Sequence, residues 1–245
     1  MRLMRDSAVK RRILAAIEDG PVSGEKLAEG LGISRVAVWK HIRELKRLGY
    51  KIEASHAGYF LRERPDVPYP PWELPVKAYY LEETSSTMDV AWKLAERGGR
   101  DFFVIAGSQK SGRGGRKGGS RWLSPPGGLW FSLVASPELS LSEAGKMSKA
   151  AREVIAEYLQ GGKGIPAEVS ENGVFVHGKK IAGVLVEVAG GELDAIRFAV
   201  VGVGINVKNP VPEGATSMAL ELGDVSLLGT ARELLPKLLD NLKAF

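Results

Sequence analysis

The sequence contains no cysteine, which excludes disulfides, thiolate metal sites and cysteine nucleophiles. Its three histidines, His41, His56 and His177, stand far apart and match no metal-ligand spacing. No apolar run reaches the roughly 20 residues that span a bilayer, and the opening six residues lead into no signal-type hydrophobic stretch. These absences predict a cytoplasmic protein with no membrane partner. Acids are missing locally as well: residues 108–137 contain no Asp or Glu. The remainder is ordinary for a folded chain of 245 residues, with 44% apolar and 26% charged residues, enough for one large domain or two smaller ones.

The acid-free stretch begins with residues 108–126, which hold five glycines and five cations: Lys110, Arg113, Arg116, Lys117 and Arg121. Strand-like runs at 102–106 and 129–134 flank it. Glycines let a backbone approach a ligand closely, and arginines present fixed forks to phosphate or carboxylate. Long loops inside compact domains are usually functional or disordered, and this one ends in Trp122 and hydrophobic sequence. An anion-binding loop is the expectation.

Positive charge is unevenly spread. Residues 1–64 carry 14 Lys and Arg against 8 Asp and Glu, while the rest carries 20 against 21, so the first quarter alone is suited to a polyanion. Within it, helical periods run over 7–18, over a segment capped by Ser23, and from Ser34 to about Leu48. Two short strands follow, at 50–54 and 58–61. This layout, and above all Leu31-Gly-Ile-Ser-Arg-Val-Ala-Val-Trp-Lys-His-Ile42, resembles a winged helix-turn-helix. The resemblance implies a recognition helix in the major groove of operator DNA, with Ser34, Arg35, Lys40, His41, Arg43, Lys46 and Arg47 as contacts.

Residues 65–75 include five prolines and read as an extended connector. The expected domains are therefore 1–64, a linker at 65–76, and 77–245. In the last, strand and helix patterns alternate. A strand is expected at 76–81, a helix entered through Thr84-Ser85-Ser86-Thr87-Met88, another helix at 142–159, and a final one at 230–245. Strands at 174–176, 181–188 and 195–201, with two-residue turn signals at His177-Gly178 and Gly190-Gly191, predict an antiparallel meander and an α+β domain. Two nucleotide motifs fail. Gly173-x4-Gly178-Lys179-Lys180 lacks the Ser or Thr of a P-loop and a following helix, and Gly202-Val203-Gly204 lacks the third glycine of a dinucleotide fingerprint.

Five segments in register then resemble the bifunctional biotin protein ligase and biotin-operon repressor family. They are Thr84-Ser-Ser-Thr-Met-Asp-Val-Ala91, the loop from Gln109 to Pro125, Gly127-Gly-Leu-Trp-Phe-Ser-Leu133, Gly178-Lys-Lys-Ile-Ala-Gly-Val-Leu-Val-Glu187, and Gly202-Val-Gly-Ile-Asn-Val207 with Ala215-Thr-Ser-Met218. The resemblance implies a central mixed-sheet ligase-like domain that joins biotin to ATP, with Mg2+, and passes biotin to a lysine of a biotin carboxyl carrier protein domain. It implies biotin contacts from Ser86, Thr87, Met88, Gln109, Gly112, Arg113, Gly114, Gly115 and Lys180, with Lys180 and Arg113 also at the reacting centre. Arg116, Trp122 and Asn206 would face the nucleotide. It further implies a homodimer that pairs two DNA-binding heads on a palindromic site.

Two departures bear on activity. The family's Lys-Trp-Pro-Asn-Asp reads Val169-Ser170-Glu171-Asn172-Gly173 here, keeping only the asparagine. Losing a cation at a phosphoryl-transfer centre typically costs about 10²–10³ in rate. Lys179, Arg116 and Lys117 are the nearby cations that could compensate. The family's small C-terminal β-barrel is also not expected within these 245 residues. The residues leave open an active, AMP-forming biotin ligase and, as alternatives, a biotin-sensing regulator without ligase activity or a repressor sensing another acidic small molecule.

Overall fold

The computed structural model describes residues 3–67, 70–114 and 120–245. Met4–Arg5 form a short strand, β1, which pairs antiparallel with a strand some 75 residues later rather than with its neighbours in sequence. The chain divides into two compact units: Asp6–Asp66, and Val67–Phe245 together with β1.

In the smaller unit, serines start all three helices. Ser7 caps α1 (Ala8–Ala16), Ser23 caps α2 (Gly24–Leu31) and Ser34 caps α3 (Arg35–Arg47), each accepting a backbone N–H of the first turn. Such caps are worth about 1 kcal/mol each. Gly32, at φ +67°, ends α2 in the left-handed conformation that glycine adopts without penalty. The apolar stripes meet in a core of Ile13, Leu14, Ile17, Leu27, Val38, Ile42 and Leu45. Two strands, β2 (Lys51–Ser55) and β3 (Gly58–Glu63), form the wing, and Val22 adds a bridge to Tyr59. That bridge requires Gly58. Its φ is +125°, and a Cβ there would lie 2.2 Å from the Val22 carbonyl carbon and oxygen. Gly58→Ala is therefore expected to cost about 1–3 kcal/mol from backbone conformation alone. Calorimetry should then show the unit's melting temperature falling by roughly 4–8 °C per kcal/mol.

The proline-rich segment is not simply an extended connector. Pro71–Glu73 form a 3-10 turn, and Trp72 and Leu74 are buried. Arg232 donates from Nε to the Glu73 carbonyl (2.9 Å) and pairs with its carboxylate. Two large apolar side chains supply the driving force that the prolines do not oppose.

The larger unit is built on a mixed sheet of eight strands. Chain order gives β4 (Ala78–Thr84), α4 (Thr87–Glu96), β5 (Phe102–Gln109), the short β6 (Arg113–Gly114) and β7 (Ser120–Arg121), and β8 (Leu129–Ala135). There follow α5 (Ala144–Glu157), β9 (Ala167–Ser170), β10 (Gly173–Val176), β11 (Lys179–Gly190), β12 (Ile196–Ile205), α6 (Met218–Leu222) and α7 (Leu227–Lys243). The spatial order is β1-β4-β5-β8-β12-β11-β10-β9, with only β4 and β5 parallel. α5 and α7 cover one face, where Phe103, Ile105, Phe131 and Leu133 meet Met147, Ile155, Leu234 and Leu238. α4 covers part of the other, where Met88, Ala91 and Ala95 meet Phe102, Val104, Val134 and Phe198. β8 is buried along its whole length because both faces are covered. Among the described residues no helix is long and apolar enough to cross a membrane.

Of the two expected turns, His177 (φ +48°) and Gly178 (φ +74°) do join β10 to β11 directly, the signature of a type I′ hairpin. Gly190-Gly191 does not make a two-residue turn. β11 runs through Gly190, and a 3-10 turn at Glu192–Asp194 lengthens the connection to Ile196.

Candidate functional site

On the face that α4 leaves partly bare, the sheet is paved with glycine. Gly183 of β11 pairs with Gly204 of β12, and Gly202 lies two residues before it. Glycine in a strand interior marks a place where something approaches closely. Here that is the Trp122 indole: a Cβ on Gly204 would meet its Nε1 at 2.3 Å, and one on Gly183 would meet its ring at 2.9 Å. Above this floor opens a cavity of about 850 Å³.

Ser86, the N-cap of α4, accepts from the Met88 N–H at 3.3 Å and so places Thr87 and Met88 at the cavity edge. A polar chain continues from there. Gln109 Oε1 accepts the Thr87 N–H (2.8 Å), and Gln109 Nε2 donates to Ser124 Oγ (2.9 Å). Thr87 Oγ1 and Ser132 Oγ share a 2.8 Å bond inside the core. The backbone is tied down alongside, with Lys110 and Ser111 donating to the carbonyls of Thr84 and Ser85. These groups are fixed before any ligand arrives.

Gly112 belongs to this framework rather than to the cavity lining. Its carbonyl accepts the Trp122 N–H at 2.8 Å, and an added Cβ would lie 2.4 Å from the Trp122 carbonyl oxygen and 2.7 Å from Ser124 Oγ. Gly112→Ala should therefore push Ser124 away from Gln109. The expected cost is about 1–3 kcal/mol of stability, with weakened ligand binding, read together by denaturant melts and titration calorimetry.

Two of the cations that line the cavity, Arg113 and Lys180, are held differently. Arg113 pairs with Glu187 of β11 (2.6 Å) and with Asp89 of α4, so its charge is neutralised on the spot. Lys180 forms no ion pair among the described residues. Its ammonium lies over the rings of Trp122 (5.4 Å) and Phe175 (5.9 Å), and burial lowers its pKa. An ammonium held over aromatic faces keeps its charge available to a ligand.

Residues 80–206 match the model of the Biotin/lipoate A/B protein ligase family, and residues 10–60 match that of an HTH domain. The chain belongs to the biotin/lipoate ligase family. It is 31% identical over 220 residues to the bifunctional ligase/repressor BirA of Bacillus subtilis, covering 84% of this chain and 67% of that protein. The Escherichia coli protein of the same name is 28% identical over 231 residues, covering 83% and 65%. The solved biotin protein ligase from Aquifex aeolicus in complex with biotin and ATP superposes with a TM-score of 0.53 at 28% identity, over 68% of each chain.

Within this ligase-family fold, the residues expected from sequence divide clearly. Ser86, Thr87, Met88, Gln109, Arg113, Gly114, Trp122 and Lys180 all line the one cavity. Gly115 and Arg116 lie outside the described residues. Asn206 does not reach the cavity: it is buried, donates to the Thr216 carbonyl (3.0 Å) and accepts from Asn209 (3.1 Å), so its amide is spent holding the turn after β12. Sequence reasoning missed the floor glycines, whose signal was their place inside strands. It also missed Asp89, Glu187, Ser124 and Ser132, which carry no local signature.

On the HTH unit, Ser34, Arg35, Lys40, Arg43, Lys46 and Arg47 are exposed as expected. His41 is a correction. It turns inward beside Lys10 and Glu44, its Nδ1 is buried without a hydrogen-bond partner, and burial first, then Lys10, lowers its pKa. A partly buried neutral imidazole is a poor phosphate contact. Val36 and Trp39 are instead 61% and 46% exposed on α3, with the Arg43 guanidinium 4.5 Å over the Trp39 ring. They give the recognition helix an apolar element that its charge pattern conceals.

Proposed function

We propose that this protein is a biotin protein ligase that also acts as a DNA-binding repressor. The observation that carries the reading is the convergence of Ser86 and Thr87, Gln109, Arg113 and Lys180, from four separate elements, on one cavity of about 850 Å³. A family relative of the same two-part build is named a bifunctional ligase/repressor, and a structural relative binds biotin and ATP.

In this reading the bonds that Thr87, Gln109, Ser124 and Ser132 make with one another fix the polar groups that hold biotin in register. A biotin carboxylate oxygen attacks the α-phosphorus of ATP, pyrophosphate departs, and Lys180 offsets the negative charge that gathers there. The neutral amine of a carrier-domain lysine then attacks the acyl carbon. AMP leaves and the nitrogen sheds a proton to solvent. Among the described residues no group of three or more His, Asp or Glu could hold a metal ion. Mg2+ would enter on the nucleotide phosphates, its usual mode in such sites. No step here depends on it.

The repressor function calls for a homodimer, and β11 provides an edge for one. β10 pairs with it only at Lys179, Lys180 and Ala182, so its outer side beyond Ala182 has no strand partner among the described residues. Two copies joined there would present two HTH units to a palindromic operator.

The deciding experiment supplies biotin, ATP and magnesium, follows pyrophosphate and adenylate mass, and then adds a carrier domain. Adenylate and labelled carrier are expected. Biotin binding without adenylate would leave only a sensor. For DNA, binding should weaken linearly in log–log fashion with salt, in proportion to the phosphates contacted.

A further inference from the structure

We propose that Arg152 grips a phosphate of the nucleotide substrate, supplying from helix α5 the cation that the β9–β10 hairpin lacks. The inference deepens the ligase reading and rests on it.

Residues 169–173, where the strands β9 and β10 turn, contain no Lys or Arg. Arg152 nevertheless reaches that turn through space. Its Nη1 donates to the Glu171 carbonyl at 2.7 Å and to Ser148 Oγ at 3.2 Å. Arg152, Ser148, Glu171 and Asn172 are among the residues that line the cavity.

Among the described residues the guanidinium is held through Nη1 alone. Nε is buried and has no hydrogen-bond partner, and Arg152 makes no ion pair among the described residues. Buried donors without acceptors are uncommon, and this one belongs to a side chain that lines the cavity. The Nε–H lies on the same edge as Nη2, and that edge carries the two parallel donors that match two oxygens of a phosphate. Arg113, the other arginine with described contacts here, already faces two carboxylates. Arg152, by contrast, has no carboxylate partner among the described residues. The choice of phosphate over carboxylate follows from the substrates: biotin brings one negative charge, to be placed near Lys180, whereas the nucleotide brings several.

The test uses the full chain and titration calorimetry with a non-hydrolysable ATP analogue, adenosine and biotin. Arg152→Ala is expected to weaken the ATP analogue about 10- to 100-fold, the scale of hydrogen bonds to a charged group. Adenosine and biotin should stay within about twofold of wild type. Arg152→Lys, which keeps the charge but not the fork, should fall between. Ser148→Ala, which frees one anchor, should weaken the analogue less than Arg152→Ala does. Equal losses for biotin and the ATP analogue would mean that Arg152 merely supports the hairpin, and unchanged binding of the ATP analogue would also overturn the proposal. A loss confined to biotin would reassign Arg152 to the carboxylate. Wild type that binds the analogue through Arg152 but forms no adenylate would remove the ligase reading while leaving the phosphate contact; no nucleotide binding at all would remove both.

Discussion

Lys180→Ala should reduce adenylate formation by about 10²–10³-fold, the effect of removing one positioned charge from a centre where negative charge develops. The backbone at this residue is pinned independently of the side chain: its N–H donates to the Gly214 carbonyl (3.1 Å), and its carbonyl accepts the Thr216 N–H (3.0 Å). Strand β11 therefore stays in place when the ammonium is removed, and the melting temperature should change little. Gly173 makes room for the side chain, since a Cβ there would lie 2.7 Å from Lys180 Cε. The charge also has a pH signature. Burial lowers the Lys180 pKa, so the protonated form is lost as pH rises through a value below the ordinary lysine range of about 10.4. Wild-type activity should decline on the alkaline side of neutrality before an exposed lysine would titrate. Lys180→Arg, which stays charged, should remove that limb from the pH–rate profile whatever it does to the maximum. A profile unchanged in Lys180→Arg would exclude Lys180 as the titrating group.

Lys180 also illustrates what could be read from sequence. Its motif, its strand and its turn were all local features, and the structure has each of them. The same holds for the serine caps at Ser23, Ser34 and Ser86, where a side-chain oxygen and the next turn's N–H are only two or three residues apart. Arg152 is different. It sits mid-helix among residues with no motif, and its meaning comes from a carbonyl 19 residues away. β1 was likewise invisible, because two residues gain strand character only from pairing with Tyr79 and Tyr80. Asn206 shows the converse: a motif-like position can be used up by its own turn. The wing, helices and flanking strands were legible because their signals repeat at short range; the cavity's electrostatics arise between elements and were not.

Trp130→Ala should be the most damaging single change to stability in the larger unit. Trp130 is fully buried in β8, on the site face between Ala106 and Gly204 in the register. Emptying a buried Trp position costs about 3–5 kcal/mol. The indole Nε1 also donates to the Pro125 carbonyl at 2.8 Å, and an acceptor left unpaired adds roughly 1–3 kcal/mol. Against a typical domain stability of about 5–15 kcal/mol, much of the margin is gone. The ring folds back so tightly that a Cβ on Gly128 would meet it at 1.9 Å, so no neighbouring side chain can swing in to refill the space from that side. Trp130→Phe separates the two contributions. It keeps an aromatic ring in edge contact with Trp122, now 6.4 Å away at 70°, but releases Pro125, the C-terminal anchor of the basic loop. Its stability loss in denaturant should be the smaller by several kcal/mol. Its biotin affinity should still fall, because Ser124, next to Pro125, is what holds Gln109 against the cavity. Equal biotin affinity in Trp130→Phe and wild type would mean that Ser124 is positioned by its bonds to Gln109 and the Trp122 carbonyl alone, and that the Trp130 hydrogen bond serves folding without reaching the site.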